Sequence, residues 1–146
     1  LSKSRALAGL RVGYALGSPN LISGLCCVRD SINSYTVDRL AQAGAVAALE
    51  DGPYFEEMRE RVIRTRERTE ERLRAMGFAV LESKANFLFV SHPKRTGKAL
   101  LDGLREQGIL VRWFDRPRIG NYLRISVGTD DEMDALRAAL KALTEG

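Results

Sequence analysis

Residues 53–76 carry the clearest pattern of hydrophobic and polar positions in the chain. Apolar and small side chains recur there at three-, four- and seven-residue steps, so they share one face of a helix. The positions on that face are Phe55, Met58, Val62, Thr69, Leu73 and Met76. Pro53 suits a first helical turn and Gly77 suits a helix end. The pattern predicts one long amphipathic helix over 53–76.

The part of the chain before this helix alternates turns with shorter elements. An apolar run predicts a strand over 11–16, which the turn residues at 17–19 would end. A helix is predicted over 20–28, and a second helix, rich in alanine, over 37–49. This part is therefore expected to be mainly helical.

The pattern changes after Gly77 to short strands separated by helices. Apolar and alternating runs predict four strands, over 78–81, 86–90, 109–113 and 122–127. A helix is predicted over 96–107, with Gly108 at its end. Thr129 and Glu132 have the spacing of a capping box before a final helix. The predicted fold class is α/β, with a small α+β domain over 77–146.

Composition limits the classes of protein to consider. The chain has 146 residues, of which 45% are hydrophobic and 29% charged, which is ordinary for a globular domain. No apolar run is long enough to span a membrane. The adjacent Cys26 and Cys27 indicate small buried residues in a reducing compartment. His92 has no second histidine or cysteine nearby, so no metal site is expected.

The net charge of +4 raises the possibility of a nucleic-acid partner. Seven arginines lie within 56–74, but six glutamates are interleaved with them and leave a local net charge of +1. Binding to a phosphate backbone needs unbalanced positive charge. We therefore expect a solvated, self-paired helix face and no nucleic-acid partner.

The strongest chemical signal stands at the beginning of the chain. Ser2 and Lys3 are followed by Arg11, with Gly9 and Gly13 on either side of that arginine. A lysine that attacks a carbonyl must lose its proton, and hydroxyls, backbone N–H groups and a forked arginine grip a phosphate well. The glycines permit close backbone approach. The alternative is a surface Ser-Lys pair before an ordinary strand.

Two arginines in the later strands are the next candidates. Arg112 and Arg124 each lie in an otherwise apolar strand, where an arginine either faces solvent, forms a structural ion pair or binds an anionic ligand. Asn86 opens a buried-looking strand, and Tyr35 lies in a polar loop. A strand-edge amide and a packed loop tyrosine are the alternatives for these two residues.

The whole chain resembles the C-terminal half of fold-type I pyridoxal-phosphate (PLP) aminotransferases, most closely the histidinol-phosphate aminotransferase family. The motifs that carry the resemblance occur in the family's order and comprise 1–3, 7–14, 84–90, 108–112 and 121–129. The resemblance implies an aspartate-aminotransferase-like fold. In that fold, 1–52 would be the C-terminal remnant of the PLP-binding large domain, 53–76 an interdomain helix and 77–146 the small domain.

The resemblance also implies a role for each candidate residue. Lys3 would hold PLP covalently and move a proton at the substrate carbon, while Arg11 and Ser2 would bind the cofactor phosphate. The implied substrate-binding residues are Arg124, Arg112, Asn86 and Tyr35. Of these, the two arginines would hold the anionic end of the substrate.

The implied function is transamination between histidinol phosphate and a 2-oxo acid in histidine biosynthesis, by a cytoplasmic homodimer without a membrane partner. An aromatic aminotransferase or a threonine-phosphate decarboxylase on the same scaffold is the alternative. A third possibility is an inactive structural fragment. In the family, the acid that pairs with the PLP ring nitrogen lies upstream of the lysine, so this portion alone is expected to be inactive.

Overall fold

The computed structural model describes residues 1–145 and divides the chain into two compact units, Leu1–Arg59 and Glu60–Gly146. The first unit contains helices α1 (Pro19–Ile32) and α2 (Arg39–Glu50) and the beginning of α3 (Gly52–Ala75). Helix α3 continues into the second unit, so its amphipathic pattern extends across the boundary between the two.

A loop connects the start of the chain to α1. Residues Ala8–Leu10 form one 3-10 turn, and Arg11 follows in the left-handed region with φ 55° and ψ 31°. Residues 12–18 have no regular structure. A strand needs a neighbouring strand to complete its backbone hydrogen bonds, and none is present within residues 1–59. The predicted strand over 11–16 is therefore wrong.

The two predicted helices of the first unit are present; α1 is longer than predicted, whereas α2 begins two residues later and ends one residue later than predicted. Pro19 is the first residue of α1, which continues to Ile32. Helix α2 starts after Asp38, whose carboxylate accepts a hydrogen bond from the backbone N–H of Ala41 at 2.8 Å. This contact satisfies a donor that the helix itself leaves unpaired.

The expectation that both cysteines are buried is wrong. Cys26 is half-buried and Cys27 is exposed, and both are free thiols. Successive residues of a helix point in different directions, so two adjacent side chains do not share one buried face. Helix α1 has no buried residue, and its large apolar side chains Leu21, Leu25, Val28 and Ile32 are exposed.

The second unit is built on a four-stranded antiparallel sheet. Its strands are β1 (Ala79–Val80), β2 (Phe87–Ser91), β3 (Arg112–Trp113) and β4 (Leu123–Ser126), in the order β1-β2-β4-β3. Helices α4 (Gly97–Glu106) and α5 (Asp130–Glu145) complete the unit. The predicted order of strands and helices after Gly77 is thus confirmed.

One face of the sheet carries the hydrophobic core. Leu88 and Val90 of β2 and Leu123 and Ile125 of β4 alternate with outward-facing residues and are at most 2% exposed. The helices that pack on this face contribute Leu73, Leu100, Leu104, Met133, Leu136, Ala139 and Leu140. Because successive side chains alternate between the two faces of a sheet, the other residues of β2 and β4 point to the opposite face.

Helix ends in the second unit follow the predicted signals. Gly77 and Gly108 have φ values of +86° and +75°, a conformation that glycine adopts at little cost. Thr129 and Glu132 form the predicted capping box, since the N–H of Thr129 donates to Glu132 Oε2 at 2.7 Å. The strand predicted over 109–113 is shorter, because Ile109 still donates to the carbonyl of Leu104 at the helix end.

The arginine-rich face of α3 is less solvated than expected. Arg66 is 5% exposed and donates to the carbonyl of Ala85 at 3.2 Å. Arg68 lies 2.6 Å from the carboxylate of Asp130 on α5, and Arg72 forms an ion pair with Asp134, which is also on α5. Several of these arginines therefore join α3 to the rest of the second unit.

Asp130 connects α5 to α3 and has a shifted pKa. The hydroxyl of Thr65 donates to its Oδ1 at 2.6 Å. This hydrogen bond is the main cause that holds the pKa of Asp130 below its usual value, and the charges of Arg68 and Arg61 act in the same direction. The carboxylate form is therefore the one that the folded unit stabilises.

None of the helices within residues 1–145 is both long enough and apolar enough to cross a membrane. Within the same residues, no group of three or more histidine, cysteine, aspartate or glutamate side chains is arranged to hold a metal ion. His92 is 6% exposed and packs against the ring of Phe78, with centroids 4.8 Å apart.

Candidate active site

Lys3 lies in a compact loop at the start of the first unit. The nitrogen of Leu1 donates to the carbonyl of Val12 at 3.2 Å, and the N–H of Ala6 donates to the carbonyl of Lys3 at 3.2 Å. The Lys3 side chain is exposed, and Ser2 beside it is half-buried. The loop therefore brings the lysine segment next to the segment that contains Arg11.

Arg11 is held by the same loop. Its left-handed backbone follows the 3-10 turn, and its Nη1 donates to the carbonyl of Ala8 at 2.9 Å. Among residues 1–145, no carboxylate lies within 4.0 Å of its guanidinium. One N–H group is therefore engaged locally, and the others remain free for an anionic ligand.

The two glycines beside Arg11 border open space. A Cβ atom built on Gly9 or Gly13 would meet no atom within 4 Å. A ligand can therefore approach the backbone closely at both glycines. Ser2, Lys3 and Arg11, with these glycines, form a set of donors suited to a phosphate group next to a reactive amine.

Arg112 and Arg124 form a second set of donors, in the second unit. They are direct partners across the antiparallel β3–β4 ladder, and such partners point to the same face of a sheet. Both side chains are exposed. No carboxylate of the described residues lies within 4.0 Å of either guanidinium. Like charges placed opposite each other are destabilising, so an anion bound between them would relieve the repulsion.

Aromatic rings surround the arginine pair. The Cζ atoms of Arg112 and Arg124 lie 5.5 Å and 5.7 Å from the ring centroid of Phe114, and Arg124 is also 5.7 Å from the centroid of Phe87. These two rings were not among the residues predicted from the sequence to form the site. Phe114 stands two residues after Arg112, so strand periodicity is a signal that could have placed both on one face.

Asn86 and Tyr35 both have exposed side chains. The backbone carbonyl of Asn86 accepts a hydrogen bond from Val127 at 2.9 Å, and its exposed side chain makes no hydrogen bond to another described residue. Tyr35 is 94% exposed, and its backbone N–H donates to Asn33 Oδ1 at 3.0 Å. Neither residue is a packed structural element, so both side chains remain free to contact a ligand.

The structure thus groups the candidate residues within each unit. Ser2, Lys3 and Arg11 share one loop of the first unit, and Arg112 and Arg124 share one sheet face of the second. Each group contains exposed basic side chains without an acidic partner, which is the arrangement expected of residues that bind anions.

Comparison with known proteins identifies the family. Residues 1–140 match the family described as aminotransferase class I and II. The chain therefore belongs to this family, and its fold is the aspartate-aminotransferase-like fold, as predicted.

Individual relatives agree with this assignment. Histidinol-phosphate aminotransferase of Chromohalobacter salexigens is 56% identical over 142 residues, which are 97% of this chain and 40% of that protein. The enzyme of the same name from Clostridium acetobutylicum is 55% identical over 141 residues, again 97% of this chain and 40% of that protein. The chain thus spans about two fifths of the length of these relatives.

A solved structure shows the same similarity in three dimensions. Histidinol-phosphate aminotransferase from Sinorhizobium meliloti, in complex with pyridoxal-5'-phosphate, superposes with a TM-score of 0.85 at 33% sequence identity. The match covers 99% of this chain and 39% of that protein chain.

Proposed function

We propose that the protein to which this chain belongs transfers an amino group from histidinol phosphate to a 2-oxo acid, with PLP as cofactor. The observation that carries the proposal is the cross-strand pair Arg112 and Arg124, two exposed guanidinium groups without a carboxylate partner. The names of relatives at 55–56% identity support the choice of substrate.

The residues present fit PLP. The cofactor carries a phosphate and an aldehyde, and the loop of the first unit offers Arg11, Ser2 and the open backbone at Gly9 to the first and Lys3 to the second. Bound PLP would supply an electron sink that stabilises negative charge on the substrate carbon. The protein's part is to hold and orient the cofactor and to move the proton.

Lys3 is the group proposed to move that proton. Lys3 is the only lysine in the described residues 1–18, which form the loop that also carries Arg11, and the loop hydrogen bonds hold its backbone. An amine held beside the reacting carbon takes a proton from it and returns it to the neighbouring atom, as a positioned general base and acid. We propose Lys3 as the catalytic residue of this chain.

Arg112 and Arg124 are proposed to bind the phosphate end of histidinol phosphate. Two forked guanidinium groups on one face provide several N–H donors to a dianion, with charge-assisted hydrogen bonds. Asn86 and Tyr35 are proposed as further substrate contacts because both side chains are exposed and free of hydrogen bonds to described residues.

The partners and location are also proposals. Large apolar side chains in the first unit are exposed, among them Leu16, Leu21, Ile32 and Leu40. Exposed apolar surface of this kind is usually covered by other protein surface. We propose a cytoplasmic homodimer, with 1–52 as part of its large domain, 53–76 as the interdomain helix and 77–146 as its small domain.

A comparison of substrates tests the proposed reaction. The intact protein, loaded with PLP, is given histidinol phosphate, phenylalanine or threonine phosphate, and kcat/KM is measured for each. We expect histidinol phosphate to have the highest value. A higher value for phenylalanine, or release of CO2 from threonine phosphate as the main reaction, would instead identify the related aminotransferase or decarboxylase.

Single substitutions test the residues. Arg124→Ala should raise KM for histidinol phosphate by about 10- to 100-fold, since a hydrogen bond to a charged group contributes roughly 1.5–3 kcal/mol. Arg105→Ala, an exposed arginine on α4, is the control and should leave KM unchanged. An unchanged KM in Arg124→Ala would remove this arginine from the substrate site.

A further inference from the structure

Among residues 1–145, Phe114 is the one aromatic residue that contacts both arginines of the proposed substrate site. Its ring centroid lies 5.5 Å from Cζ of Arg112 and 5.7 Å from Cζ of Arg124. Both distances are within the range of a cation–π interaction, about 6 Å. Phe114 is half-buried and directly follows β3, whose two residues pair with β4.

The ring of Phe114 offsets part of the repulsion between the two arginines. Each guanidinium is attracted to the negative face of the ring at these distances. The attraction opposes the tendency of two like charges to turn away from each other. It also uses none of the five N–H groups of a guanidinium, so all of them remain available to an anion.

Neighbouring rings on the same face do not have this property. Phe87 contacts Arg124 alone. Phe89 is the cross-strand partner of Arg124, yet its ring stacks on Tyr122 with centroids 4.8 Å apart and an angle of 15° between the planes. Phe114 is therefore the ring that contacts both Arg112 and Arg124. Phe89, on the same sheet face, is a suitable control for substitutions at Phe114.

We propose that Phe114 is a positioning residue that holds Arg112 and Arg124 close together, so that one anionic group of the substrate is bound by both. The inference rests on the proposed function, in which these arginines receive the phosphate of the amino donor. It adds a residue that touches neither substrate nor cofactor and acts through the two guanidinium groups.

The test uses the intact, PLP-loaded protein and four substitutions, one of which, Phe114→Tyr, keeps an aromatic ring. Phe114→Leu removes the ring but keeps an apolar side chain, and Phe114→pentafluorophenylalanine keeps the shape but reverses the charge distribution of the ring. Phe89→Leu is the matched control on the same sheet face. Two quantities are measured, the kcat and KM for histidinol phosphate and the inhibition constant of inorganic phosphate.

Both changes at Phe114 should raise KM and weaken inhibition by phosphate about tenfold, which corresponds to about 1.4 kcal/mol. The kcat should stay within about twofold, because the interaction concerns binding rather than the transition state alone. Phe114→Tyr should restore wild-type values, and Phe89→Leu should leave both constants unchanged. If Phe114→Leu does not fold, the fluorinated variant still decides the matter because its shape is nearly native.

Failure of this inference differs from failure of the proposed function. If the wild type uses histidinol phosphate and the fluorinated variant keeps both constants, Phe114 has no positioning role although the function stands. An equal loss in Phe89→Leu would likewise overturn the inference, because it would reflect general packing. If the wild type does not use histidinol phosphate, the proposed function fails. The inhibition constant of phosphate against whichever amino donor is used then decides the role of Phe114.

Discussion

Leu104 and Leu40 show how differently the two units of this chain treat apolar side chains. Leu104 on α4 of the second unit is 0% exposed and packs within a core of thirteen buried residues. Leu40 on α2 of the first unit is 82% exposed. Both are leucines in helices, so the difference comes from what covers them. The second unit supplies its own core, whereas the first leaves much apolar surface uncovered.

The two units also differ in how they support the candidate binding residues. The second unit holds Arg112 and Arg124 on a sheet whose other face is its core, so the proposed substrate arginines lie on a sheet supported by packed side chains. The first unit holds Lys3 and Arg11 on a loop with few buried neighbours. We therefore expect the geometry of the lysine loop to depend more strongly on further protein surface than the geometry of the arginine pair does.

The largest expected effect comes from truncating a leucine in each unit. Leu104→Ala should lower the free energy of unfolding by about 2–5 kcal/mol, because it removes buried methyl groups and leaves a cavity. Leu40→Ala should change it by less than about 0.5 kcal/mol in the monomeric chain, since the side chain is 82% exposed there. Urea denaturation of the 146-residue chain, followed by far-UV circular dichroism, gives both values. Similar losses in the two variants would show that the units do not differ as described.

Glycine substitutions sharpen the comparison at the level of the backbone. A Cβ on Gly97, at the start of α4, would lie 3.0–3.1 Å from atoms of Asn121, Gly120 and Trp113. Gly97→Ala should therefore destabilise the second unit by roughly 1–3 kcal/mol through overpacking. Gly24 in α1 has no atom within 4 Å of such a Cβ, and Gly24→Ala should stabilise by about 0.5–1 kcal/mol.

Thermal unfolding of these two variants checks the prediction, because the midpoints should move in opposite directions. A fall of the midpoint in Gly24→Ala as large as that in Gly97→Ala would mean that α1 is closely packed against another element.

The smallest expected effect concerns the pH dependence of one carboxylate in each unit. The folded-state pKa of Asp130 is lowered, chiefly by the hydrogen bond from Thr65. The stability that this carboxylate contributes is therefore present above its unfolded pKa of about 3.9 and is lost as the pH falls through the lower folded value. Asp130→Asn should lower the thermal midpoint at neutral pH and have little effect in strong acid.

Asp30 in the first unit is the matched comparison. Its pKa is lowered as well, chiefly by a hydrogen bond from its sequence neighbour Arg29 at 2.7 Å. Neighbouring residues also meet in the unfolded chain, whereas Thr65 and Asp130 meet only on folding. Asp30→Asn should therefore change the midpoint less than Asp130→Asn does at neutral pH. The reverse order would contradict the importance given to the α3–α5 contact.

The second unit was the easier one to predict from sequence. Alternation at Leu88 and Val90 and at Leu123 and Ile125 indicates strands with one buried face, and this pattern is satisfied entirely by residues within the unit. The strand predicted over 11–16 failed for the opposite reason. Its apolar residues have no strand beside them within the first unit, so local pattern alone could not decide their conformation.

The candidate site, too, was only partly predictable from the sequence. Family motifs predicted Lys3, Arg11, Arg112 and Arg124 as site residues, but no local pattern predicts which residue of β4 lies opposite Arg112. That pairing depends on strand register, which packing of the core fixes. Phe114 was missed because an aromatic residue after a short strand is usually a core residue. Its contact with two guanidinium groups is visible only once β3 and β4 are paired.

The identity of the cofactor-binding lysine is the central claim, and borohydride labelling tests it most directly. The intact protein is loaded with PLP and reduced with borohydride, which makes the bond between lysine and cofactor permanent. Peptide mapping by mass spectrometry then locates the modified residue. We predict that the label is on Lys3 and that Lys3→Ala abolishes it. A label on another lysine, or none after reduction of the wild type, would contradict the assignment.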